Sequence, residues 1–127
     1  MILRNWLKTL ITKNKIHVQK PVASLSLNSN SITPFIAKLD SGASKHYIKT
    51  KHQNNLIHLK PLNNGPIAIL PDTTTVQASH QGVCPLHHTL STKAKKALVF
   101  PHLTNESLIS IRQLCDGDCE VTFDKKN

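Results

Sequence analysis

The sequence predicts a mainly β domain with one short late helix, preceded by an amphipathic N-terminal helix. Three observations carry that reading. Short apolar segments alternate with polar residues, clusters of Pro, Gly, Asn and Ser separate them, and the 127-residue chain has no internal repeat and suffices for one core. We read 1–20 as a basic amphipathic extension and 21–127 as a single domain.

The opening MILRNWLKTLITKNK sets Ile2, Leu3, Trp6, Leu7, Leu10 and Ile11 at spacings of three and four among Arg4, Lys8 and Lys13, the pattern of a two-faced helix. VASLSLNSNSITPFIAKL then predicts two strands about an Asn/Ser turn at 28–31, with Pro34 making the second irregular at its start. Lys45 to Lys60 is polar and reads as surface loop with a short strand at NLIHL. Ile67 and Ile69 lead into Pro71 to Thr74, and Val76 and Ala78 lead out, which predicts a hairpin with its tip near Asp72. Gly82 to Leu90 predicts a strand, and KKALVFPHL a short buried strand stopped by Pro101. The late helix falls in NESLISIRQLCD, where Leu108, Ile109, Ile111 and Leu114 are apolar; DGD then turns the chain into a last strand, CEVTFD.

Charge narrows the partners without choosing one. Sixteen Lys and Arg against seven Asp and Glu give a net charge of +9, which favours nucleic acid, membrane surfaces or acidic peptides. Aromatic residues make up only 4% of the chain, too few for the stacking platforms of single-strand binders. The pairs Lys95–Lys96 and Lys125–Lys126 read as solvated charge with scope for weak RNA contact. Six basic residues and no acid in 1–39 match the bias of organelle transit peptides, interfacial helices and nucleic-acid-binding arms, but no defined cleavage site accompanies them. No apolar run is long enough to span a membrane. Three cysteines at no framework spacing predict reduced thiols and a cytosolic or nuclear setting. Neither Cys84 with His87 and His88 nor Cys115 with Cys119 has structural-zinc spacing, so we expect no metal and no cofactor, and read Cys115 as packing at a helix end. Ser41 or Ser44 with His46 offers a nucleophile and a base, but no G-x-S-x-G elbow surrounds either serine.

The chemistry concentrates in AKLDSGASKHYI. Asp40, Ser41 and Gly42 make an ordinary turn by composition, but they follow the apolar Ile36 and Leu39, which puts a carboxylate at the mouth of a buried strand. A carboxylate there suits peptide hydrolysis by paired acids. Two Asp side chains held together cannot both ionise, so the pair takes a proton from water while giving one to the peptide carbonyl. The chain holds one such triplet, so its partner must come from a second copy across a two-fold axis.

LDSGASKHYI resembles the protease segment of copia-type retrotransposon polyproteins, and ALVFPHLTNESLISIRQLCDGDCEVTFD resembles the stretch that follows it there. Val99, Pro101, Leu103, Leu108, Ile109, Ser110, Gln113, Leu114, Cys115, Cys119, Val121 and Phe123 match in order, and the resemblance covers 20–124. It implies a retropepsin-like closed β barrel with a flap hairpin, an aspartic endopeptidase acting as a homodimer on a polyprotein substrate, in a cytoplasmic virus-like particle or the nucleus. It also implies that Asp40 is the catalytic acid and base, Ser41 the hydroxyl bracing the two loops, Gly42 the loop glycine and Ala43 the small residue behind them. Pro71, Asp72 and Thr73 fall at the flap tip. Thr73 stands where the family usually has glycine, and LISI lacks the glycine of the usual retropepsin motif, as copia-type sequences do. Two other readings stand beside this one: an inactive polyprotein remnant serving as a folded spacer, and a basic module whose N-terminal helix binds RNA or membrane.

Overall fold

Ala97-Leu98-Val99-Phe100 is an unbroken apolar run, which a strand carries comfortably only when both of its faces are covered. In the computed structural model, which describes residues 11–12, 15–18, 24–27, 35–86, 88–103 and 106–123, this run is the strand Lys96–Phe100 and all four side chains are buried. Two cores form on its two sides. Ala97 and Val99 join Ile48, Ile109, Leu114 and Ala94 in the larger, while Leu98 and Phe100 join Ala68, Val76, Ala78 and Leu103 in the smaller. Tyr47 packs edge-on against Phe100, with ring centroids 4.9 Å apart.

Among the described residues twelve strands run in chain order: β1 (Ile11–Thr12), β2 (Lys15–Val18), β3 (Ser24–Leu27), β4 (Phe35–Asp40), β5 (His46–Lys49), β6 (Ile57–Pro61), β7 (Ile67–Ile69), β8 (Thr75–Gln77), β9 (His80–Val83), β10 (Lys96–Phe100), β11 (Ser107–Ser110) and β12 (Glu120–Phe123). A 3₁₀ helix spans Thr50–Asn55, and the short helices α1 (Thr92–Lys95) and α2 (Ile111–Asp116) flank β10 and β11 in sequence. Seven strands form a mixed sheet in the order β3-β4-β11-β5-β10-β9-β6; β7 and β8 form a hairpin, and β1, β2 and β12 a third sheet. The fold is mainly β, as expected.

Among the described residues the expected closed barrel is not formed: β3 and β6 are opposite edges of the large sheet and do not pair with each other. The physical reason lies in β6. It is mostly exposed, slips register between Ile57 and Lys60, carries His58 at φ 55° and ends in Pro61, features of an edge that no further strand extends.

The predicted N-terminal helix also gives way where the chain is described. Ile11–Thr12 and Lys15–Val18 are strands, and β2 pairs in parallel with β12 through Ile16 and Val121. The β-branched Ile11, Thr12, Ile16 and Val18 favour extended backbone, and pairing with the last strand outweighs the helical spacing. Residues 1–10, the turn at 28–31, His87 and Lys125–Lys126 lie outside the described residues.

Two further boundaries move for local reasons. The strand expected over 82–90 stops at Val83, and Pro85 follows two residues later. The late helix begins only at Ile111, because the Ser110 side chain caps it by accepting from the Gln113 N–H; Ser107–Ser110 is instead a strand inserted between β4 and β5. Helix α2 ends at Gly117, which lies hard against α1. A Cβ built on Gly117 would sit 2.7 Å from the Ala94 Cβ and 2.8 Å from its backbone. Gly117→Ala is therefore expected to lower stability by about 1–3 kcal/mol through overpacking, read as a fall in the urea unfolding midpoint at unchanged m-value.

Candidate active site

Strand β4 ends at Asp40, which lies opposite Ser110 in the parallel register of β4 and β11. Asp40 Oδ1 accepts the Gly42 N–H at 2.7 Å, closing a short turn over Ser41. Gly42 suits this place because a Cβ on it would meet Oδ1 at 3.2 Å, tighter than ordinary contact. Asp40 is half-buried, Ser41 and Gly42 are exposed, and Ala43 is buried behind them. The Ser41 hydroxyl has no partner among the described residues.

What holds this loop from behind is a buried polar network. The Ser110 hydroxyl donates to the Ala43 carbonyl at 2.6 Å and accepts the Gln113 N–H at 2.9 Å. Ser110 N–H donates to His46 Nδ1 at 2.9 Å, while His46 Nε2 lies 2.6 Å from the Ala94 carbonyl. Those partners assign the tautomer: Nε2 carries the proton and Nδ1 accepts. Gln113 completes the set, its Oε1 accepting the His46 N–H at 2.8 Å and its Nε2 donating to the Lys93 and Lys96 carbonyls at 2.9 and 2.6 Å. Ser110 and His46 are fully buried and Gln113 nearly so.

Burial pushes His46 down to about 4, with Lys45 adding to the shift and the Ala94 carbonyl opposing it. The ring is thus neutral at neutral pH, as its two hydrogen bonds require. Read from sequence as part of a polar loop and as a possible base for Ser44, His46 is neither. Both ring nitrogens are engaged with backbone, and Ser44 Oγ is 3.1 Å from the Tyr47 hydroxyl instead.

The hairpin β7–β8 stands over the carboxylate. Asp40 lines a cleft of about 520 Å³ with Gly42, Ala43, Tyr47 and the hairpin arm Ile67 to Pro71. It also lines a second, of about 670 Å³, with Lys38, Lys49, Leu103 and Glu106, and Leu70, Pro71 and Leu108 border both. The hairpin is anchored at its base by buried Ala68 and Val76 and presents Ile67 and Ile69 outward, 64% and 75% exposed. Of the tip residues expected from sequence, Pro71 reaches both clefts, whereas Asp72 and Thr73 border neither. The Asp72 carboxylate accepts from the Thr74 hydroxyl and, at 3.0 Å, from the Thr74 N–H, and these bonds hold its pKa below the usual carboxylate value. Thr73 N–H donates to the Leu70 carbonyl at 2.9 Å, and Thr73 takes φ 70°, the conformation that glycine adopts without cost and a β-branched residue resists.

The cysteines divide differently from expectation. Cys115 is exposed, and it is Cys119 that packs beside the helix end, with Cys84 at the centre of the larger core. Burial raises the Cys84 thiol to about 12 and Cys119 to about 11, so both are poor nucleophiles. Among the described residues no three His, Cys, Asp or Glu side chains gather to hold a metal, and no helix is long and apolar enough to cross a membrane. No family model, curated protein or solved structure matches the chain.

Sequence reasoning missed His46, Ser110 and Gln113 as supports of the loop. Ser110-Ile-Arg-Gln113 carries the S-x-x-Q spacing of a helix cap, a usable signal; His46 had none, because its neighbours in sequence are polar and its partners are about 50 and 64 residues away.

Two outcomes are expected. The folded pKa of His46 lies below its unfolded value of 6.5, so the unfolded chain binds the extra proton. The associated stability is fully present above pH 6.5 and is lost as pH falls towards 4, by roughly 3 kcal/mol in all. Urea titrations from pH 7 to 4 should show this decline, and His46→Gln should flatten it. Thr73→Gly should raise the unfolding free energy by on the order of 1 kcal/mol by relieving the left-handed strain, measured by the same titration.

Proposed function

We propose that the chain is an aspartic endopeptidase of the retropepsin-like kind, acting as a homodimer on the polyprotein of a copia-type retrotransposon. The observation that carries the reading is the placement of Asp40: a half-buried carboxylate at a strand end, tied to the Gly42 N–H and overhung by a hairpin whose arm borders the same cleft. A turn that served only to reverse the chain would need neither the cleft nor the roof. Copia-type resemblance in LDSGAS and in the segment from Val99 to Phe123 supports the same reading, the first contributing the loop and the second the strand and helix that brace it.

In this reading Asp40 and its copy share one proton across a two-fold axis. The ionised carboxylate removes a proton from water as the protonated one gives its proton to the scissile carbonyl oxygen and the hydroxide adds to the carbonyl carbon, so no metal and no covalent intermediate takes part. The Ser41 hydroxyl, unpartnered within the described residues, bonds to the partner loop and sets the spacing of the acids. The substrate lies extended through the two clefts beneath the hairpin. Leu70, Pro71 and Leu108 exclude water from the reacting bond.

Incubating the chain with flanking polyprotein sequence tests the reading. Wild type is expected to cleave it. Asp40→Asn should lose on the order of 10³-fold or more in rate while sedimenting as the same dimer. A wild-type chain that stays monomeric at high micromolar concentration and cleaves nothing would instead be a folded remnant.

A further inference from the structure

Away from Asp40, a cavity of about 290 Å³ is lined by Lys45, Lys93, Lys96, Gln81, Gln113 and two apolar side chains, with no acid among them. None of the three ammonium groups has an ion-pair partner among the described residues. We propose that this cavity binds phosphate oxyanions, through the three lysines and the amide of Gln81.

The geometry is built rather than fortuitous, because one side chain fixes the backbone at all three lysines. Gln113 Nε2 holds the carbonyls of Lys93 and Lys96 at 2.9 and 2.6 Å, and its Oε1 holds the N–H of His46, the residue next to Lys45, at 2.8 Å. The turn carrying Lys93 is also capped, with Ser91 Oγ accepting the Ala94 N–H at 3.2 Å and donating to the Gly117 carbonyl at 3.0 Å. Lys45, Lys93 and Lys96 are exposed side chains that border one cavity, so their positive potentials add there and favour an anion. A phosphate group, with several strong acceptor oxygens, matches three separate ammonium donors better than a single carboxylate does. Single-stranded RNA and free polyphosphate both present this chemistry.

The test uses the purified full chain with two probes, sodium tripolyphosphate and a short labelled single-stranded RNA, over a salt series. The site variant replaces Lys45, Lys93 and Lys96 with Gln; a charge-matched control replaces Lys51, Lys60 and Arg112 with Gln. The site variant is expected to lose about tenfold or more in affinity, with the RNA salt slope falling by about 2 for three lost contacts, while the control changes far less. Loss of both probes identifies the RNA backbone as a ligand; loss of tripolyphosphate alone identifies the free polyanion. Tripolyphosphate should also shift the side-chain amide NMR signals of Gln81 and Gln113 in the wild type, a readout that needs no variant. The proposal is overturned if those signals do not move, or if the site variant loses no more affinity than the control. Asp40→Asn should bind both probes as wild type does, so the outcome is independent of the protease reading.

Discussion

A neutral imidazole with one donor and one acceptor nitrogen, sealed between the Ala94 carbonyl and the Ser110 N–H, is the constraint on which the rest of this structure rests. Buried polar groups are costly unless every one of them is paired. Here each is: His46 uses both ring nitrogens and its N–H, Gln113 uses its carbonyl oxygen and both amide hydrogens, and the Ser110 hydroxyl both donates and accepts. The set stitches β5, β11, α1 and α2 to the loop after β4. None of the four elements is long enough to be stable alone, so they depend on this cross-linking and on the core above it.

The candidate site has two parts that are held in different ways. The Asp40 loop is held from behind through the Ala43 carbonyl, with the buried Ala43 methyl filling the space a larger side chain would force open. Opposite it, the hairpin is fixed at its base by Ala68 and Val76 but carries a left-handed threonine at its tip and two exposed isoleucines on its arm. The proposed hydrolysis by paired acids would use that division. The carboxylate must keep its aim, while the roof must let an extended peptide in and then exclude water.

Local chemistry was legible in the sequence where local forces decide. The hairpin about Asp72 followed from alternating apolar residues around a turn, the buried strand from the run Ala97 to Phe100, and the loop glycine from the triplet itself. The failures share a cause, which is partnering at long range. Ile11 closes the helical spacing of the opening segment yet lies in a strand, because β2 pairs with it and β12, from the far end of the chain, pairs with β2. Leu108, Ile111 and Leu114 mimic a helical stripe, but Ser107–Ser110 is needed between β4 and β5, and the cap at Ser110 divides strand from helix. The closed barrel that the resemblance implied is not seen among the described residues, and the register slip beside His58 in the edge strand β6 has no signature in its residue types.

Gln113 links the two ends of the molecule's chemistry. On one side it supports His46 and through it Ser110 and the Ala43 carbonyl; on the other it holds the backbone of lysines whose charges repel. Lys93 and Lys96, two of the lysines of the proposed anion cavity, are thus held at their carbonyls by the residue that also supports the Asp40 loop.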